Sequence, residues 1–155
     1  MTEIVIKPMR YGAAIARELV AAAIADLGQR YGGDGDATPV DATEFDPPDG
    51  GFLIAYVDGQ PAGCGAWRSH GDDGHVAELK RMYTSPTFRG RGVARAMLSA
   101  LEGSARDNGR RRVVLETGTL QPEAIRLYEN AGYQRIENFG FYRNAPGAMS
   151  FGRDL

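Results

Sequence analysis

With 155 residues, the chain has the length of one ordinary domain. Hydrophobic residues make up 43% and charged residues 25%, which supplies one core and argues against disorder. The formal net charge of −2 gives no reason to expect a nucleic-acid partner, and the lone cysteine, Cys64, excludes an internal disulfide and a CxxC metal pair.

The opening "MTEIVIKPMR" holds only a short apolar run, and no stretch reaches the ~20 apolar residues of a membrane span. A cytoplasmic protein without a membrane partner, monomeric or homodimeric, is the expectation. Residues 3–8, "EIVIKP", read as a first strand. Strong helix formers follow over 13–32, as one helix or two short ones, with Gly32 as a stop. Residues 33–51, rich in Gly, Pro and Asp, predict a long mobile loop. Residues 52–68 read as a β-hairpin turning at Asp58-Gly59, and 75–84 as a further strand ended near Pro86.

Over 92–108, Val93, Ala94, Met97, Leu98, Leu101 and Ala105 recur at helical spacing and predict one buried face. Gly103 inside this helix is placed where packing is close, and Asn108-Gly109 is read as its end. A strand over 111–117 is followed by a helix opened by Pro122 and stopped by Gly132, then by short strands over 133–136 and 149–155. The order β-α-β-β-β-α-β-α-β-β predicts a mixed α/β (α+β) sheet covered by helices, in one domain over 3–155.

One loop stands apart. "RGRGVA", residues 89–94, sets two arginines and two glycines before a helix. The first backbone N–H groups of a helix lack internal partners, and its dipole makes that end positive. Glycine admits close approach to the backbone, and arginine adds charge, so a phosphate or pyrophosphate fits there. A Walker A loop is absent, and Arg95 stands where a dinucleotide fingerprint needs its third glycine.

The spacing Arg89-x-x-Gly92-x-Ala94 resembles the acyl-CoA motif of the GNAT superfamily of N-acetyltransferases, (Gln/Arg)-x-x-Gly-x-(Gly/Ala). "LKRMYTSPTFRGRGVARAML" is similar to that family's fourth strand, pyrophosphate loop and third helix. "VVLETGTLQPEAIRLYENAGYQRI" is similar to its fifth strand and fourth helix, with Tyr133 where Phe is usual. The match covers roughly residues 76–136. It implies the GNAT acyl-CoA N-acyltransferase fold, a central, mostly antiparallel sheet flanked by helices, whose fourth and fifth strands splay apart. It implies acetyl-CoA as cosubstrate and no metal.

Carried over by this resemblance, Met82, Tyr83 and Thr84 would hydrogen-bond the pantetheine arm and thioester carbonyl by backbone pairing. Arg89, Gly90, Arg91, Gly92, Val93 and Ala94 would wrap the pyrophosphate. Tyr128 stands where relatives carry the acid that protonates the CoA thiolate, a role the resemblance favours over a reading as a core aromatic. Gln121 replaces the usual Asn that contacts pantetheine or acetyl. Glu78 aligns with the strand glutamate that acts as general base, against a reading as an ion pair with Lys80 or Arg81. Glu116 is a second base candidate.

His70 and His75 flank a surface turn without a known metal-ligand spacing. Cys64 reads as a small buried residue, and one of Arg110, Arg111 and Arg112 could meet the 3′-phosphate of CoA. Phe139, Phe141 and Tyr142 line an acceptor pocket or cover the sheet. The expected reaction is direct acetyl transfer, in a ternary complex, to a primary amine of a small molecule. The six carboxylates of loop 33–51, including Asp34, Asp36, Asp41 and Glu44, point to a cationic amine. Alternatives are acetylation of a protein lysine or N-terminus, and a non-catalytic acyl-CoA-binding module.

Overall fold

A computed structural model describes residues 3–155. Seven strands form one sheet: β1 (Ile4–Pro8), β2 (Gly50–Val57), β3 (Gln60–His70), β4 (Val76–Thr84), β5 (Arg112–Gly118), β6 (Gln134–Ile136) and β7 (Ala148–Asp154). Their order is β1-β2-β3-β4-β5-β7-β6. Every neighbouring pair is antiparallel except β4 and β5. Three helices cover it: α1 (Ala14–Tyr31), α2 (Val93–Asp107) and α3 (Pro122–Asn130).

Helix α1 is continuous and buries Ala16, Leu19, Val20 and Ala23, the spacing of one helical face. Ala16, Leu19 and Val20 meet Phe52, Ile54, Cys64 and Ala66 on one face of the sheet. Helix α2 buries Val93, Met97, Leu98, Leu101 and Ala105 against the other face, where Leu53, Trp67, Leu79 and Leu115 lie. Ala94, expected in that buried stripe, is only half-buried. Gly103 is also not a close contact, since nothing lies within 4 Å of the place its Cβ would occupy. Its small size answers to no neighbour.

The segment expected to be a mobile loop is tied down. Asp41 caps a short 3₁₀ turn over Ala42–Phe45, with Glu44 closing a capping box. Phe45 from that turn is buried and stacks on Tyr11 at 4.8 Å.

Two irregularities of β4 shape the middle of the sheet. Strands β4 and β5 pair only where Val76, Ala77 and Glu78 meet Arg112, Val113 and Val114. Beyond that point they diverge, while β5 stays paired with β7 along its whole length. The backbone of β4 from Leu79 to Thr84 therefore presents an unpaired edge inside the sheet. The second irregularity is a bulge. Cys64 pairs with Tyr83 and Ala66 with Lys80, so β4 carries one more residue than β3 over this span. Arg81 takes the left-handed conformation, φ 60°, at a cost of about 1–2 kcal/mol for a non-glycine residue.

Candidate active site

A cleft of about 730 Å³ opens where β4 and β5 part. Its size suits a small-molecule or cofactor site. Met82, Tyr83 and Thr84 form one wall and Leu115, Glu116 and Thr117 the other, with helix α1 across one side. Gln121 and Tyr128 of the α3 region complete it, and the start of α2 closes the mouth.

That mouth is built for an anion. Helix α2 begins after Gly92, whose φ of 84° is left-handed, and no side chain caps its first amides. Gly90 has φ 77°, and around the Cβ positions of both glycines there is open space. The glycines serve the backbone conformation, and they leave the uncapped amides accessible. Arg89, Gly90, Gly92, Val93 and Ala94 all line the cleft. Arg91 does not; its guanidinium lies over the Phe88 ring at 5.7 Å. Arg95, one turn into the helix, is on the wall instead.

Arg89 is already engaged. Its Nε donates to the Thr84 carbonyl oxygen at 2.9 Å, and its Nη2 lies 3.5 Å from Asp26 Oδ1. Asp26 also accepts from Arg30 Nε at 3.1 Å, and Arg30 pairs with Glu123 at the start of α3. The Tyr31 hydroxyl donates to Gln121 Oε1 at 3.1 Å. A chain of charges thus joins the loop, α1 and α3 around the mouth. Of these residues, only Arg89 and Gln121 belong to motifs visible in the sequence.

Tyr128 is buried at the cleft wall, edge-on to Tyr133 at 5.6 Å and tilted against Phe151 at 6.3 Å. Burial pushes its phenol well above the ordinary tyrosine value. The core-aromatic and cleft-facing readings are therefore both true of this residue. The hydroxyl of Tyr133 donates to the buried Glu102 Oε2 at 2.8 Å. Arg153 donates to the same oxygen at 2.9 Å, which gives the departure from Phe a structural purpose.

The inner end of the cleft is polar. Lys80 and Arg81 reach it with side chains 7% and 5% exposed. Asp36, from the loop after α1, lies between them: its Oδ2 is 3.4 Å from Lys80 Nζ and accepts from Arg81 Nη1. Its Oδ1 accepts from the Thr38 amide at 2.9 Å and the Thr38 hydroxyl at 2.6 Å. Burial alone would raise the Asp36 carboxyl, but Lys80, the Thr38 bonds and Arg81 outweigh it and hold the group below its ordinary range. Strand alternation would send Lys80 and Arg81 to opposite faces, and the bulge at Arg81 puts both on one.

Glu116 faces the same end. Its Oε1 accepts from the Tyr142 amide at 3.2 Å, and its Oε2 is buried without a hydrogen-bond partner among the described residues. Burial, opposed by Lys80 and the Tyr142 amide, raises its carboxyl above the ordinary range. The Tyr142 hydroxyl accepts from the Ala37 amide at 2.5 Å, so the loop before β7 meets the loop after α1 over this pocket. Phe139 instead packs on His70 at 4.9 Å, and Phe141 is 52% exposed.

Glu78 is buried outside the cleft lining, where its Oε1 accepts from Arg68 Nε at 3.0 Å. The ion pair is thus with Arg68 rather than with Lys80 or Arg81. Cys64 lies in the sheet, donating to the Arg81 carbonyl oxygen at 3.1 Å, and burial pushes its thiol up to about 12. The arginine run lies away from the cleft: Arg110 covers Trp67 at 5.2 Å, and Arg112 pairs with Asp154 at 2.8 Å. No helix among the described residues is long and apolar enough to cross a membrane.

A split sheet whose gap ends at an uncapped, glycine-led helix offers one cleft to a phosphate-bearing ligand with an extended arm. The chain belongs to the acetyltransferase (GNAT) family, whose sequence profile matches residues 23–133. An IAA acetyltransferase of Azospirillum brasilense is 36% identical over 108 residues, 70% of each chain. A Klebsiella pneumoniae structure described as an acyl-CoA N-acyltransferase superposes with a TM-score of 0.81 at 29% identity, over 98% of this chain and 97% of its own. A GNAT family acetyltransferase of Elizabethkingia anophelis, solved with acetyl-CoA bound, shares the fold with a TM-score of 0.69 at 19% identity, over 98% of both chains.

Proposed function

We propose that the protein transfers acetyl from acetyl-CoA to a primary amine of a small molecule, directly and within a ternary complex. The observation that carries this reading is the unpaired β4 edge running from the uncapped α2 terminus to the polar pocket at Lys80, Arg81 and Glu116. The donor's pyrophosphate suits the amides from Gly90 to Ala94, and its arm suits the free edge of Met82 to Thr84 as an added strand would. When bound, acetyl-CoA supplies the activated acyl group. Thr117, whose hydroxyl is buried and unpartnered among the described residues, and Gln121 are placed to meet the same arm.

Glu116 takes a proton from the acceptor's ammonium group through its free Oε2, directly or through water. The amine nitrogen then bonds to the thioester carbon while a β4 amide holds the developing oxyanion. The carbon–sulfur bond breaks as Tyr128 donates its phenolic proton to the leaving thiolate, and the nitrogen's second proton passes through water to restore the Tyr128 phenol. The sum is an N-acetyl product, free CoA thiol and one proton released from the ammonium form. Tyr128 stays protonated through neutral pH because burial raises its pKa. Glu78 is the competing base, and its bond to Arg68 away from the cleft favours Glu116.

The test is a thermal-shift titration with acetyl-CoA, CoA and NAD. A ligand at 100 times its Kd stabilises the native state by about 2.7 kcal/mol. Shifts with acetyl-CoA and CoA but not NAD, reduced in Arg89→Ala, are expected. No shift with either CoA species removes the proposal.

A further inference from the structure

We infer that the acceptor amine carries a carboxylate, as an amino acid does, and that Lys80 and Arg81 receive it. This rests on the acetyl-transfer reading and names the substrate class of the same cleft. Three of the carboxylates of loop 33–51 are engaged within the protein rather than left free for a cationic acceptor. Asp36 is saturated by Lys80, Arg81 and Thr38, Asp41 and Glu44 cap a turn, and Glu44 also pairs with Arg68.

What remains in the pocket is a pair of cations beside two carboxylates, Asp36 and Glu116, of which only Asp36 is bonded to them. Two buried cations share a single oxygen of one carboxylate. Glu116 pairs with neither, its Oε1 being taken by the Tyr142 amide. Burying cations is costly unless they are paired and hydrogen-bonded, and Asp36 supplies that pairing for both through one oxygen. Each has donors to spare. Lys80 uses its ammonium on Asp36 and on Thr38 Oγ1 at 3.2 Å, and Arg81 uses Nη1 on Asp36 and Nε on the Tyr11 hydroxyl at 3.4 Å. An ammonium has three donors and a guanidinium five.

The strained left-handed Arg81 points the same way, because strain of this kind collects at functional positions. Without the bulge one of the two cations would face away from the cleft. The unpartnered Glu116 Oε2 takes the ammonium end and the two cations the carboxylate end, which together make a site for a zwitterion.

The test uses the wild-type protein, acetyl-CoA and a panel of amino acids, each beside its α-carboxamide. Aspartate and glutamate are compared with asparagine and glutamine, and spermidine represents cationic amines. Acetylated product is measured by mass spectrometry and CoA release. The expected result is a kcat/KM at least ten-fold higher for the carboxylate member of one or more pairs. Lys80→Met should reduce that ratio to about three-fold or less by raising the acceptor KM, while the KM for acetyl-CoA stays unchanged. The wild-type comparison decides the question even where the variant does not fold.

Equal or better use of the α-carboxamides or of spermidine, or no acetylation across the panel, overturns the carboxylate site when acetyl-CoA still gives its thermal shift; the aspartate–asparagine and glutamate–glutamine pairs report only on a second carboxylate. A preference retained in a folded Lys80→Met protein overturns the assignment to Lys80. Loss of the acetyl-CoA shift in the wild-type protein overturns the acetyl-transfer reading, and the carboxylate site with it.

Discussion

Replacing Tyr128 with Phe isolates one oxygen atom. The ring is 5% exposed and held by Tyr133 and Phe151, contacts that Phe preserves. Burial alone raises its phenol, so the hydroxyl sits in a poorly solvating place, and its removal should leave folding unchanged or about 1 kcal/mol more stable. Catalysis should respond very differently. A positioned general acid contributes about 10²–10⁴-fold, which at 1.36 kcal/mol per decade is about 2.7–5.5 kcal/mol of transition-state stabilisation. The KM for acetyl-CoA should stay within about three-fold, because the hydroxyl acts only as sulfur departs. Steady-state CoA release under saturating amine, with melting points recorded on the same samples, measures both. A kcat within about three-fold of wild type, in a protein of unchanged stability, would refute the acid role.

Glu116→Gln should lower kcat/KM by about 10² or more and remove an acid limb that lies above the ordinary glutamate value, since the base must be ionised and burial raises it. Glu78→Gln should keep that limb, and pH profiles of the two variants separate the candidates. Asp26→Asn frees Arg89 from a partly exposed pair worth about 0.2–1 kcal/mol; calorimetry at low salt should show CoA binding tightened by about 1.4- to 5-fold, and weakened binding contradicts it. Burial raises the phenols of both Tyr128 and Tyr133 above their unfolded value, so the neutral forms stabilise the fold. That contribution is full below the unfolded value of about 10 and is lost as pH climbs through the folded values. Urea midpoints at pH 8, 10 and 11 should fall steeply only at the last two.

What could be read in advance was what is local. The α2 stripe, the Asp58-Gly59 turn and the stop at Gly132 each follow from spacing or turn chemistry within a few residues, and each is present. The glycine-led, uncapped start of α2 was legible for the same reason, because its glycines and arginines are contiguous. The ion-pair chain of Arg89, Asp26, Arg30 and Glu123 was not, since it joins three elements far apart in sequence. Nothing in "AELKR" announces that Lys80 and Arg81 share a face, because strand periodicity says the opposite and only the pairing register reveals the extra residue. In loop 33–51, Asp36, Asp41 and Glu44 are bonded within the protein, Asp36 to a group 45 residues away, and charge alone could not show that.

The bulge in β4 also acts as a phase shift between two reading frames. Residues up to Lys80 keep one alternation of side chains, and residues from Met82 onward keep another. The first frame lies beside the polar end of the cleft and the second along the unpaired β4 edge. On the function proposed above, substitutions at Lys80 and Arg81 would redirect which amine is accepted without moving the backbone register at Met82 to Thr84. Deleting the extra residue would restore simple alternation along the strand. On that same function the bulge would be a boundary at which acceptor recognition can diverge while the donor edge stays fixed.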